Sequence, residues 1–273
     1  MLSYKRKYVH EKFYILLFFA SAGVAVTLLS NYIVPHDPLV TNFSQILKPP
    51  SLEYFGGTDQ LGRCVFSRVL SGAKNSLKLT FIMTMIVSVL GTIIGILSGY
   101  FEGVIDTVLM RISDMLLAFP GTIFAIVLVG MMGPSLVNTV IALALQKWTK
   151  YARMARSMVL TAKSQDYIVQ AKLCGARTPK ILFTYILPNI ISPIVVLATM
   201  EIGHTMLSIA ALSFLGLASQ PPTPEWGSML NEGKDYIQTA PWLMLVPGVA
   251  TFLTVLVFNL LGDNMRDVLD PKE

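Results

Sequence analysis

The chain has 273 residues, of which 53% are hydrophobic and 14% charged, with a net charge of +5. Charges this sparse exclude an ordinary soluble domain, and so many apolar residues exceed what a single core could hide, so the composition is that of a polytopic membrane protein. The basic residues concentrate in the first twelve positions and between Lys147 and Lys180, a distribution that reads as topological charge bias rather than as a nucleic-acid surface.

Lys5, Arg6, Lys7 and Lys12 precede Phe13 to Val34, an uncharged run of 22 residues. That is long enough to cross ~30 Å of hydrocarbon as a helix, and longer than the apolar core of a cleaved signal peptide. It is read as an uncleaved anchor with the N-terminus inside. Pro35 to Lys74 follows as a long extracytoplasmic connection, opened by Pro-His-Asp-Pro and broken again at Pro49-Pro50. Within it Gly57 to Cys64 has the glycine spacing of a phosphate-binding loop. Arg63 and Cys64 stand where that loop needs Lys and Ser or Thr, so no nucleotide site is expected there.

Leu79 to Tyr100 is the second expected span, with Gly91, Gly95 and Gly99 forming a stripe that another helix could approach closely, in this chain or in a partner. A third span is expected over about Met115 to Met132, preceded by Arg111 and Asp114, whose spacing suggests a local ion pair at the membrane edge. Gly133-Pro134 breaks the chain before a short fourth span from Leu136 toward Trp148. Next comes the basic segment, about 151–189. Between Lys147 and Lys180 eight Lys or Arg (Lys147, Lys150, Arg153, Arg156, Lys163, Lys172, Arg177, Lys180) face a single acid, Asp166, which makes this stretch a cytosolic surface. Two short helices, Gln165 to Cys174 and Pro179 to Tyr185, are expected to hinge at Gly175, with Leu187-Pro188-Asn189 closing the segment. Ile190 to Leu212 and Trp242 to Leu261 supply the fifth and sixth spans. With both termini cytoplasmic, fifteen Lys or Arg fall on the inner side and six outside or at the outer rim. Cys64 and Cys174 then lie on opposite sides of the membrane and cannot pair.

Glu201 and His204 lie inside the fifth span, three residues apart and on one face. An ionisable group in hydrocarbon costs roughly 2.5 to 3.5 kcal/mol on insertion scales and is usually kept facing a bundle interior or a water-filled path. One reading places both along a translocation path, where imidazole and carboxylate are acceptable transient ligands for a metal complex. The other is a Glu-His pair hydrogen-bonded within the bundle. The sequence offers no nucleotide-binding loop, no nucleophile beside a base and no metal-ligand spacing, so an enzyme is not expected.

The run Asp166-Tyr167-Ile168-Val169-Gln170-Ala171-Lys172-Leu173-Cys174-Gly175-Ala176, followed by Leu187-Pro188-Asn189, resembles the Glu-Ala-Ala loop of bacterial ABC importer permeases. Val169 and Gln170 stand where its first Glu and Ala usually do. Gly57-Thr58-Asp59 through Phe66-Ser67-Arg68 resembles a signature of the dipeptide, oligopeptide and nickel branch, with Cys64 in place of an Asp. Asp106, Arg111, Asp114 and Phe119-Pro120, then Pro224-Glu225-Trp226-Gly227, Asn259 to Asp263 and Arg266 to Pro271 extend the resemblance over nearly the whole chain.

The resemblance implies an all-α permease of the type I ABC importer fold with six transmembrane helices, in the bacterial inner membrane. Residues 1–76 would be anchor and outer loop, and 77–273 the permease core. Asp166, Tyr167, Gln170, Ala171, Lys172, Gly175, Ala176, Leu187 and Pro188 would form the loop that docks in a groove of an ATP-hydrolysing subunit. Two such ATPase subunits, a homologous permease forming a heterodimer and an extracytoplasmic binding protein are the implied partners. ATP and Mg would reside on the ATPases, and no cofactor on this chain. The run Glu201 to Leu207 resembles nickel permeases, and Ile209 stands where peptide permeases of the branch usually carry Glu. The cargo expected from this is nickel, free or chelated, with a di- or oligopeptide as the alternative. A secondary carrier is the remaining reading, against which stands the lack of visible inverted repeats.

Overall fold

The computed structural model describes residues 2–269, with side chains from Val9 onward apart from Asn31. The side chains of Lys5, Arg6 and Lys7, and the Asp270-Pro271 end of the last motif, lie outside the described residues. The architecture is helical: α1 (Leu2–Leu28), α2 (Ser30–Ile33), α3 (Val65–Phe101), α4 (Gly103–Leu117), α5 (Gly121–Met132), α6 (Leu136–Lys163), α7 (Asp166–Leu173), α8 (Thr178–Lys180), α9 (Leu187–Phe214), α10 (Trp226–Gly233) and α11 (Trp242–Leu269). Among the described residues, four helical stretches are long and apolar enough to cross a membrane, with α8 and α9 counting as one, and α4 with α5 makes a fifth if that bent pair is a single span. A sixth crossing would fall to α6, whose apolar N-terminal part gives way to a basic C-terminal half.

Three departures from the sequence reading have clear causes. Helix α3 starts at Val65, well before Leu79, inside the stretch expected to be an irregular outer connection. Val65, Val69, Ala73 and Leu77 recur at four-residue spacing and are all buried, so this polar-looking segment is an amphipathic helix that packs on Trp226, Met229 and Leu243. Second, the stretch Met115 to Met132 is not one straight helix. α4 and α5 meet at 89° across Ala118-Phe119-Pro120, because proline removes a helical N–H and its ring disfavours helix before it. Gln146 Nε2 donates to the freed carbonyls of Phe119 (2.9 Å) and Leu116 (3.3 Å), so the bend leaves them satisfied. Third, Leu187-Pro188 does not close the basic segment. One wide π turn, Ile181–Ile186, carries helix from α8 into α9, and Asn189 Nδ2 donates to the Tyr185 carbonyl at 2.9 Å.

The glycine stripe finds its neighbour in this chain. A Cβ on Gly91 would lie 2.4 Å from the Trp148 carbonyl oxygen, one on Gly95 2.4 Å from that of Ala152, and one on Gly99 2.9 Å from that of Arg156. The numbers rise together on both helices, so α3 and α6 run parallel and begin on the same side, as the expected topology requires. Helices α9 and α11 approach antiparallel through Gly203 against Asn259 and Gly262 against Met200. The largest buried cluster lies between α3, α5, α6 and α9, and includes Met83, Val87, Val129, Leu143, Tyr151, Val159 and Ile209.

Candidate functional site

Residues 151–163, expected to be part of a solvated loop, are the second half of α6. Tyr151, Ala152, Ala155 and Val159 are at most 1% exposed, and the basic residues between them are engaged by other helices. Lys147, Lys150, Arg153 and Arg156 recur every three residues. Three helical steps fall short of a full turn by about 60°, so the stripe winds around α6. Its first part faces α9, where Glu201 accepts from Lys150 and lies 3.9 Å from Lys147. Its later part faces α4. Arg153 Nη2 donates to Asp114 at 2.6 Å, and Arg156 clamps Asp106 through two bonds of 2.5 Å. About two turns further on, Lys163 reaches Glu102 at 2.7 Å and the Tyr100 carbonyl at 2.8 Å. Asp114 therefore pairs across helices with Arg153, not locally with Arg111. The three-residue recurrence was visible in the sequence; the acids that answer it were not.

Glu201 is 8% exposed and turned toward the two lysines, whereas His204 is exposed. The structure pairs Glu201 with Lys150 and Lys147 rather than with His204.

The segment around α7 is held at both ends. Ile168 is fully buried against the core that contains Ile181, Ile186 and Ile190. Tyr167 Oη accepts from Asn189 Nδ2 at 2.7 Å, and the Lys172 ammonium sits 5.4 Å from the centre of the Tyr100 ring. The helix ends in a left-handed Gly175 at φ +80°, with Gly175 N–H donating to the Lys172 carbonyl and Ala176 N–H to that of Ala171, each at 3.0 Å. Asp166, Tyr167, Gln170 and Lys172 are exposed, as are Val169 and Leu173, while Ala171 and Ala176 are half-buried. A hollow of about 320 Å³ lies beside this turn, lined by Ala171, Cys174, Gly175, Ala176, Arg177, Lys180 and Tyr185. Leu187 and Pro188 sit in the first turn of α9.

A second charged cluster explains the Gly57 to Arg68 signature, to which the sequence reading gave no role. Asp59, Arg63 and Arg68 are 2–3% exposed. Arg63 Nε and Arg68 Nη1 both donate to Asp59 Oδ2 at 2.6 Å. The same guanidinium groups reach Glu232 of α10 at 2.8 Å, and Gln60 adds a bond at 3.1 Å. Gly62 makes the turn at φ +72° with the Asn42 carbonyl where a side chain would be. Glu225 caps α10 by accepting from Gly227 N–H (3.0 Å) and Ser228 N–H (2.9 Å), and Trp226 Nε1 donates to the Val69 carbonyl at 2.9 Å. Pro224-Glu225-Trp226-Gly227 thus fastens α10 to the start of α3.

A family model described as "Binding-protein-dependent transport system inner membrane component" matches residues 91–273. The chain belongs to that family. Among curated relatives, the glutathione transport system permease protein GsiD of Salmonella paratyphi A is 47% identical over 93% of this chain and 84% of its own length. The dipeptide transport system permease protein DppC of Alkalihalophilus pseudofirmus is 41% identical over 85% of this chain and 76% of its own. Among solved structures, an inward-facing MetNI methionine ABC transporter superposes with a TM-score of 0.59 over 74% of this chain and 97% of that one, at 18% identity, a likeness of fold. This binding-protein-dependent permease is a non-catalytic membrane subunit of an ABC importer, and the family implies a partner ATPase and a binding protein.

Proposed function

We propose that this permease imports small peptides, of the dipeptide to glutathione class. The observation that carries this reading is the 41–47% identity to permeases named for dipeptide and glutathione transport, across 85–93% of the chain. The nickel expectation has no support in those names. It rested on the likeness of the Glu201 to Leu207 run to nickel permeases and on Ile209 where peptide permeases usually carry Glu; within that run Glu201 is paired with Lys150 and Lys147. Peptide would be handed over by the extracytoplasmic binding protein and pass between this chain and a homologous permease, driven by two ATPase subunits. ATP-dependent uptake by the reconstituted four-component complex tests the cargo. Labelled dipeptide uptake, abolished by an ATPase-dead partner, is expected; nickel uptake with or without histidine, in the absence of peptide uptake, would overturn the reading.

In the same reading α7 is the coupling helix. The exposed Tyr167, Val169, Gln170 and Leu173 supply an outward face for an ATPase groove, and the Gly175 turn sets the angle at which that face is presented. Gly175→Val is a selective test of this. A β-branched residue at φ +80° costs about 1 to 3 kcal/mol locally, while no atom lies within 4 Å of the added Cβ. The permease should still fold and extract as a single species, with uptake and transport-coupled ATP hydrolysis reduced about tenfold. Unchanged coupling in the variant would count against this role for the turn.

A further inference from the structure

We propose that Lys150 and Glu201 bind the two charged ends of the transported peptide, Lys150 taking its carboxylate and Glu201 its ammonium group, with Lys147 steadying Glu201 during the exchange. This inference rests on the peptide reading above.

Charge balance sets this rung of α6 apart. Arg153 meets Asp114, Arg156 meets Asp106 and Lys163 meets Glu102, each one cation to one carboxylate. Glu201 alone is shared by two ammonium groups, so this rung carries a surplus positive charge. A purely structural pair would need only one lysine, and the second leaves one ammonium group without a carboxylate of its own. The depth is also that of a path. Glu201 lies thirteen residues before the Phe214 end of the apolar α9, about 20 Å along the helix axis, where ionisable groups are kept facing protein or water rather than lipid.

The cluster is open on one side. The Lys150 side chain is 59% exposed against 17% for Lys147 and 11% for Glu201, and His204, one turn along α9, is exposed as well. Lys150 is therefore the cation a visiting carboxylate can reach, while Lys147 is held back beside Glu201. A zwitterionic peptide can trade places with the resident pair. Its carboxylate takes Lys150 and its ammonium takes Glu201, so the one Lys150–Glu201 pair gives way to two. The peptide crosses this depth without an unpaired charge, and the resident pair it must break offsets part of what the two new pairs contribute.

The test uses the four-component complex in proteoliposomes, at peptide concentrations that saturate the binding protein. Maximal uptake rates are compared for a labelled dipeptide and its C-terminal amide. The binding protein is common to all complexes, so its own preference cancels when the free-to-amide ratio is compared between permease variants. Lys150→Met should lower that ratio about tenfold, as expected for loss of a hydrogen bond between charged groups, and Lys150→Arg should keep it within about threefold. Glu201→Gln should lower the ratio of free to N-acetylated dipeptide instead, which gives a second reading if Lys150→Met fails to assemble. Variants that slow every substrate equally, with both ratios unchanged, would overturn the site and leave the peptide reading standing. Absence of dipeptide uptake by the native complex would overturn the peptide reading and the site together.

Discussion

Arg68→Met should destabilise the permease by about 3 to 5 kcal/mol, because it strips one partner from a buried, closed set of charges. Asp59, Arg63, Arg68 and Glu232 sum to zero. Asp59 Oδ2 accepts from both arginines, and Arg68 also grips both Glu232 oxygens, at 2.8 and 3.1 Å. With methionine, two carboxylates share Arg63 alone and one negative charge is left over. Lysine at position 68 would recover only part of the loss, since it lacks the planar fork that spans both acids. Adding Glu232→Gln to Arg68→Met restores neutrality, so the double variant should be more stable than Arg68→Met. Simple additivity would refute the coupling. Thermal unfolding followed by tryptophan fluorescence suits the question, as Trp226 and Trp242 both bond to backbone near the cluster. The same unfolding should show an acid limb. Burial alone would push the Glu232 carboxyl up, but the Arg68 bond, the Arg68 and Arg63 charges and the Gln60 bond outweigh it and hold the group below its ordinary value of 4.5. Glu232 therefore contributes fully above about pH 4.5, and its contribution is lost as pH falls through the depressed folded value. Glu232→Gln should remove that part of the acid sensitivity.

The fold class, the first, second, fifth and sixth of the expected spans and the parallel start of α3 and α6 were legible in the sequence because they rest on hydropathy, charge bias and glycine spacing, which act locally. The start of α3 was hidden by Arg68, Lys74 and Lys78, which lower the hydropathy of a stretch whose buried stripe is nonetheless regular. Proline misled in two directions: Pro120 turns the chain by 89° inside the stretch expected to be the third span, while Pro188, expected to close the basic segment, follows a wide turn and lies in the first turn of α9. Both outcomes depend on what lies nearby, Gln146 in one case and Asn189 in the other. The candidate site was legible only as a collection of residue types. Lys147, Lys150, Arg153 and Arg156 were explained by topology, and their partners Glu201, Asp114 and Asp106 are 39 to 51 residues away. Pairings of that separation are set by how helices pack, which one-dimensional spacing does not carry. The glycine stripe declared an interface without saying with what.

Gly95→Leu turns that last point into the other large expected effect. The Cβ of any residue at this position would lie 2.4 Å from the Ala152 carbonyl oxygen, 2.7 Å from the Ala155 Cβ and 3.0 Å from the Ala152 Cα. Two of these three atoms are backbone, so no rotamer change relieves the contact, and the rest of a leucine side chain has no room between the helices. Overpacking of this kind costs about 1 to 3 kcal/mol where side chains can adjust, and more is expected where two helix backbones must separate. Separation would carry α6 away from α3, and with it the charge ladder that fixes α6 to α4 and α9. The variant should fail to extract as a monodisperse species, with uptake lost as a consequence. Alanine substitutions should grade with the distances: Gly91→Ala and Gly95→Ala severe, Gly99→Ala milder, because there the nearest atom is 2.9 Å away and the next is the Val159 side chain at 3.0 Å. Size-exclusion profiles and melting temperatures of the isolated subunit read this order directly. If the stripe served the second permease instead, the isolated subunit would melt as the native one does and only the heterodimer would come apart.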